Sequence, residues 1–295
     1  MQKKGVCKLN NLLKETTYIM KKYKIKANKS LGQNFLIDEF VINNIIESAQ
    51  IGKEDLVIEI GPGLGTLTKY LLEKAKKVIC IELDKKMITI LEDRFSLYNN
   101  LQIINNDVLK VDLNSMILEE KRKTQIKNVK IVANLPYYIT TPIIMKLLES
   151  KLDIQSITVM IQKEVADRLI AKPGDKQTGA ITYTVYYYCE GEKVLEVPHT
   201  SFIPEPEVSS EVIKLNIRKE PIIKNIDEIT LFKIIKAAFM QRRKTLLNSL
   251  TNAHIFKDKE EGTIVLNNCG LLENTRAENL TLQDFAKITN EILKY

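Results

Sequence analysis

Four short apolar runs each end in a polar or glycine-rich segment: Leu56–Ile60, Val78–Ile81, Leu101–Ile104 and Lys130–Ala133. Runs rich in Val, Ile and Leu, without polar alternation, read as strands buried on both faces, and helical stretches lie between them. That order predicts a parallel sheet covered by helices on each side, with every strand delivering its last residue to one rim. Strands are expected over 56–60, 78–82, 101–104, 129–133, 157–161, 181–188 and 211–217, with helices between the first five. Antiparallel strands at the end would close the sheet.

The residues at that rim carry the chemistry. Ile60 runs into Gly61-Pro62-Gly63-Leu64-Gly65 and then into the helical Thr66-Leu67-Thr68-Lys69-Tyr70-Leu71-Leu72-Glu73, with Thr66 as the expected N-cap. A glycine loop at a helix N-terminus brings backbone close to a ligand and points free amides at it. Dinucleotide folds space these glycines as G-x-G-x-x-G. Here the third comes one residue early, and with Glu59 just before the loop the pattern fits S-adenosylmethionine better than a pyrophosphate. Glu82 ends the next strand, where a carboxylate can accept both ribose hydroxyls. Asp84 is expected to cap a helix from Lys85 to Phe95. Asp107 ends the third strand and can accept from an adenine amine, or can simply form a turn. At the fourth end stands Asn134-Leu135-Pro136-Tyr137. The Asn134 side-chain oxygen and the Leu135 carbonyl can gather the protons of one planar amine beside a Tyr ring, although Pro136 could equally just end the strand.

These segments, with Lys29-Ser30-Leu31-Gly32-Gln33-Asn34-Phe35-Leu36-Ile37-Asp38, Phe202-Ile203-Pro204-Glu205-Pro206-Glu207-Val208-Ser209-Ser210 and Phe239-Met240-Gln241-Arg242-Arg243-Lys244-Thr245-Leu246, resemble the ribosomal RNA adenine dimethyltransferases. The likeness runs from about Lys26 to the C-terminus and is nearest to the family's small-subunit (16S) branch. It implies an α/β, Rossmann-like class I methyltransferase sheet, mostly parallel with an antiparallel end strand, followed by a small all-helical domain. It also implies S-adenosyl-L-methionine as cofactor. The implied reaction places methyl groups on the exocyclic amines of two adjacent adenosines near the 3′ end of 16S rRNA, within the immature small ribosomal subunit. By similarity Asn34, Leu36, Gly61, Glu82, Asp107 and Asn134 contact the cofactor, while Asn134, Leu135, Tyr137 and Phe202 shape the pocket for the target base. Two positions depart from the family pattern: Leu31, where an aromatic residue is common, and Thr178, where a Tyr often precedes Gly179-Ala180.

The organisation expected is a basic N-terminal extension over 1–25, the methyltransferase domain over 26–217, a linker over 218–227 containing Pro221, and a helical RNA-binding domain over 228–295. Ile229 to Leu250 reads as one helical stretch that changes face, and Thr281-Leu282-Gln283-Asp284 as a capping box opening a last helix to Leu293.

Charge is unevenly placed. Residues 1–38 hold nine Lys against Glu15 and Asp38, so the net +7 of the chain is concentrated there. This arm can hold RNA phosphates near the cofactor, or form a solvated amphipathic helix from Leu9 to Tyr23 with a lysine face. Further basic groups are Arg242-Arg243-Lys244, read as helical, and Lys163, Arg168 and Lys172. Cys7, Cys80, Cys189 and Cys269 are scattered, and only His199 and His254 accompany them, which argues against a zinc site or a disulfide framework. A cytoplasmic, metal-free monomer is expected. No apolar stretch nears the roughly 18 residues that span a bilayer.

Adenine's amine is a weak nucleophile, so catalysis is expected to be mainly positioning, with the base swung out of its stack against Tyr137 and Phe202. Phe202 could instead anchor its proline-rich loop. The alternatives are a large-subunit rRNA dimethyltransferase, a nicotinamide oxidoreductase, for which the glycine spacing is wrong, and a largely non-catalytic ribosome assembly factor.

Overall fold

The computed structural model describes residues 11–28, 32–175, 177–241 and 243–294. Cys7, Leu9, Lys29-Ser30-Leu31 and Arg242 of the sequence reading lie outside the described residues. Two compact units are present: residues up to Lys163 together with Glu192–Leu215, and Glu164–Gly191 together with Asn216 to the C-terminus.

The first stretch of chain runs through α1 (Asn11–Lys22), β1 (Phe35–Leu36), α2 (Glu39–Ala49), β2 (Asp55–Ile60), α3 (Thr66–Lys74), β3 (Lys77–Glu82), α4 (Lys85–Arg94), β4 (Leu101–Asn105), α5 (Leu113–Lys123), β5 (Asn128–Asn134), α6 (Thr140–Glu149) and β6 (Ser156–Gln162). It continues with α7 (Lys163–Ile170), α8 (Ala180–Tyr188), β7 (Cys189–Val197), β8 (Phe202–Ile203), β9 (Ser210–Ile217), α9 (Glu228–Met240), α10 (Leu246–Asn252), α11 (Lys259–Asn268) and α12 (Leu282–Ile292).

The seven-stranded sheet has the order β4-β3-β2-β5-β6-β9-β7. β2 pairs in parallel with β3 and β5, and β3 with β4 and β5 with β6 likewise, so Ile58 lies between Ile79 and Ile131 in a wholly buried strand. This is the mixed, mostly parallel α/β sheet with flanking helices that the apolar runs imply, and a helical C-terminal region follows it. Val57, Val78, Cys80 and Val132 pack on one side against Val41, Ile45, Leu67 and Leu71 of α2 and α3. A separate two-stranded sheet joins β1 to β8 antiparallel, pairing Leu36 with Phe202.

Four local expectations need correction. Residues 181–188 form a helix, α8, not a strand. The sequence Ile181-Thr182-Tyr183-Thr184-Val185-Tyr186-Tyr187-Tyr188 is β-prone by composition, but tertiary packing overrides propensity here. Tyr183 and Tyr187, one helical turn apart, are fully buried with Leu231, Ile235, Leu250 and Phe285 of the C-terminal helices, and the Tyr183 hydroxyl donates to the Leu280 carbonyl at 2.7 Å. The strand in this region is β7, whose Glu190, Glu192, Lys193 and Glu196 concealed it from a hydrophobic pattern. It is an edge strand, and such charges protect an unpaired edge.

The helix expected over 229–250 is two helices. Thr245 caps α10 by accepting from the Asn248 amide, which diverts the chain at Gln241–Thr245 and places Arg243 and Lys244 in a turn. Gly65, not Thr66, is the N-cap of α3, because its φ of 78° belongs to the left-handed region.

The cap foreseen at Asp84 and the capping box foreseen at Thr281 are present. Helix α1 buries Leu12, Thr16 and Ile19, so its apolar face is packed rather than solvated. Among the described residues no helix is long and apolar enough to cross a membrane.

Candidate functional site

The carboxyl ends of β2, β3, β4 and β5 converge on one cleft of about 1150 Å³, including its open mouth. Its walls include Asn34, Leu36, Gly61, Glu82, Asp107, Asn134, Leu135 and Tyr137, all of them singled out from the sequence.

Beneath the cleft the glycine loop is shaped by close packing. The Gly61 amide donates to the Ile81 carbonyl at 3.0 Å, tying the loop to β3. A Cβ on Gly65 would lie 2.5 Å from Phe95 Cε2 and 2.7 Å from Leu91 Cδ2, so α3 and α4 can approach only because that position has no side chain. Glu82 is buried at the end of β3. Its Oε1 accepts from the Asp84 amide at 2.8 Å and its Oε2 from the Gly63 amide at 3.1 Å, fixing the carboxylate on the loop. Burial raises its pKa, and the Asp84, Gly63 and Leu83 amides oppose that shift. These amides leave part of the acceptor capacity of the carboxylate for a ligand hydroxyl.

Glu59 is the other acid at this rim, and it turns inward. Thr68 Oγ1 donates to its Oε2 at 2.7 Å and Cys80 Sγ at 3.5 Å. Burial pushes its carboxyl up to about 7. Asp107 follows β4, with Oδ1 accepting from the Leu109 amide at 2.9 Å.

Asn134 ends β5. Its Nδ2 donates to the backbone carbonyl of Asn34 at 3.2 Å, which orients the side-chain amide. Among the described residues nothing donates to its Oδ1 or to the Leu135 carbonyl, so both acceptors keep their lone pairs. The Leu135 amide is anchored on Met160 and its side chain is buried. Tyr137 is fixed through its hydroxyl, 2.6 Å from Ser210 Oγ, and burial raises its pKa against the opposing effect of Ser210.

The structure does not bring Phe202 to the cleft. Its ring is 1% exposed, packed with Val41 and Val212 in the core behind β1, and its backbone pairs with Leu36. The loop-anchor alternative matches this placement: Ser201 Oγ donates to Asp38 at 2.9 Å and the Ile37 amide to the Ser201 carbonyl. Among the lining residues given no role from the sequence are Tyr138 and Gln33. Tyr138, 57% exposed, presents a ring at the mouth against Gly32, and the signal for it was only its adjacency to Tyr137. Gln33 accepts from the Asn28 amide and donates to Asp84 at 3.0 Å, linking the segment before β1 to the cap of α4.

Among the described residues no group of three His, Cys, Asp or Glu side chains is arranged to hold a metal ion. Of the basic residues considered for RNA, Lys163 lies 2.6 Å from Glu196 and Arg168 2.7 Å from Glu164.

The family model described as ribosomal RNA adenine dimethylase matches residues 24–294. The chain belongs to that family. This dimethylase is 47% identical over 278 residues to the ribosomal RNA small subunit methyltransferase A of Alkaliphilus metalliredigens, covering 94% of this chain and 96% of that one. The protein of the same name from Bacillus thuringiensis is 46% identical over 280 residues, with 94% and 95% covered. Among solved structures, a dimethyladenosine transferase from Plasmodium falciparum matches with a TM-score of 0.70 and 31% identity, covering 88% of the dimethylase and 98% of that chain. The 23S rRNA methyltransferase ErmE matches with a TM-score of 0.63 at 23% identity, over 88% and 99%, and shares the fold. The dimethylase is an S-adenosylmethionine-dependent rRNA adenine methyltransferase.

Proposed function

We propose that this dimethylase methylates the exocyclic amines of two adjacent adenosines near the 3′ end of 16S rRNA, in the immature small ribosomal subunit, as a cytoplasmic monomer. The observation that carries this reading is the free acceptor pair, Asn134 Oδ1 and the Leu135 carbonyl, on the same cleft as the buried Glu82 carboxylate. The names of the relatives at 46–47% identity favour the small subunit. The large-subunit alternative has only a likeness of fold behind it.

The donor set suits S-adenosylmethionine. Glu82 presents its carboxylate to the ribose hydroxyls, Asp107 has acceptor capacity left for the adenine amine, and Gly61 leaves open space where a side chain would sit. Asn34 and Leu36 form the opposite wall, and Asn34 also sets the angle of Asn134. The cofactor, when bound, supplies an electrophilic methyl group.

The chain's own work is alignment. Asn134 Oδ1 and the Leu135 carbonyl accept the two N–H bonds of the target amine, favour a pyramidal nitrogen and direct its lone pair along the cleft. No general base is required, since the nitrogen can shed its proton after attack. Tyr137, pinned on Ser210, and the exposed Tyr138 offer faces for an extruded purine, while Phe202 shapes the pocket only by bracing Leu36 from behind. Residues 228–295 serve to grip the RNA.

The test is incubation of unmethylated small subunits with the enzyme and cofactor carrying a radiolabelled methyl group, followed by nucleoside analysis. Label in dimethyladenosine from two adjacent positions near the 3′ end is expected. Label confined to large-subunit RNA, or none above background, would overturn the reading.

A further inference from the structure

Helix α1 lies wholly before residue 24, where the family match begins, yet it packs against residues that line the cleft. Its Ile19 packs with Phe35, Leu64, Met87 and Ile90, and Phe35 and Leu64 both line the cleft. A polar connection runs beside this contact. Arg94, at the end of α4 and with a side chain only 13% exposed, donates through Nη1 to the backbone carbonyl of Leu64 inside the glycine loop. Its Nη2 lies 2.5 Å from Oε1 of Glu15 on α1. Glu15 also lies 3.8 Å from Lys69 of α3, the helix that the loop opens. The guanidinium lies 5.1 Å from the centroid of the Phe95 ring, the same ring that a side chain at Gly65 would strike.

We propose that Arg94, held in place by Glu15, is a positioning residue for the glycine loop, so that α1 belongs to the cofactor-binding apparatus. The inference rests on the reading that this loop holds the cofactor. Its chemistry is specific to arginine: one planar fork serves a carbonyl and a carboxylate at once, with the charge neutralised by Glu15, whereas a lysine ammonium cannot reach both acceptors in that geometry. With the Leu64 carbonyl tied down, the loop keeps one conformation before any ligand arrives, with its Gly61 amide on Ile81 and its Gly63 amide on the Glu82 carboxylate. Loss of the tie therefore weakens cofactor binding while leaving the acceptor pair at Asn134 and Leu135 untouched.

The experiment is a calorimetric titration of S-adenosylhomocysteine into full-length wild type, Glu15→Gln, Arg94→Lys, the double variant and Glu82→Gln, with steady-state kinetics and thermal unfolding on the same samples. Arg94→Lys is expected to weaken binding about tenfold and Glu15→Gln about three- to fivefold, in the range of a charge-assisted hydrogen bond. The cofactor KM should rise in parallel, with kcat at saturating cofactor and the KM for RNA within about twofold of wild type. Because Glu15 acts through Arg94, its effect should vanish in the Arg94→Lys background. Additive effects, or a lowered melting temperature with unchanged cofactor affinity, would overturn the proposal. If Glu82→Gln weakens binding while the Glu15 and Arg94 variants do not, this inference alone fails. If Glu82→Gln also binds as wild type, the placement of the cofactor fails and this inference with it.

Discussion

Glu59 is a carboxylic acid with no room for a charge: it is 2% exposed, and burial lifts its pKa from 4.5 to about 7. Between those values the folded protein keeps a proton that the unfolded chain releases. The stability contributed by the neutral acid is therefore fully present below pH 4.5 and lost as pH rises through about 7. Glu59→Gln cannot ionise and should lack this slope. Measured by urea denaturation, the stability of the variant relative to wild type should rise by up to about 3 kcal/mol between the two ends of that window. A difference that stays constant with pH would show Glu59 ionised in the fold. Other single residues were legible to different degrees. Glu82, Asp107 and Asn134 could be read from sequence because an α/β alternation fixes where strand ends lie, and the residue there has no other side of the sheet to occupy. Phe202 could not. Whether its ring faces a ligand or the core depends on the antiparallel pairing of β8 with β1, a contact between distant segments that leaves no local pattern.

Among the elements, the glycine loop with the helices around it sets the tightest steric requirement. Gly65→Ala meets both a left-handed φ of 78° and overlap with Phe95 and Leu91, whereas a Cβ on Gly61 meets no atom within 4 Å. Gly65→Ala should therefore lower the unfolding free energy by about 2–5 kcal/mol, and Gly61→Ala by only about 1–2 kcal/mol from backbone strain. Equal losses in chemical denaturation would contradict the packing role of Gly65. The buried strands were legible because parallel strands covered on both faces must be apolar throughout. α8 was read as a strand and β7 was missed because their surroundings reverse local preference: a tyrosine-rich, β-prone segment is enclosed by helices, and a charged segment occupies a sheet edge. The turn at Gln241–Thr245 depends on one hydroxyl capture by Thr245, a cue no stronger in sequence than any other threonine.

At the scale of the whole molecule, the site gathers residues from Gly32 to Ile143 at one rim, and no single stretch of sequence would assemble it. The reaction class was nonetheless legible, because the same rim recurs at four successive strand ends and each carries a group of suitable polarity. The N-terminal helix was harder to read. Its lysines suggest an RNA arm, while its Leu12 and Ile19 are committed to the core and its Glu15 to Arg94. The central claim is that a sulfonium donor and an extruded adenine meet over Asn134. The most direct measurement is a crystal structure of the full-length protein with S-adenosylhomocysteine. The expected result has the ribose hydroxyls on the Glu82 carboxylate, the adenine amine at Asp107 and the sulfur directed towards Asn134. A ligand bound away from this rim, or one that reaches it with Glu82 and Asp107 uncontacted, would contradict the claim.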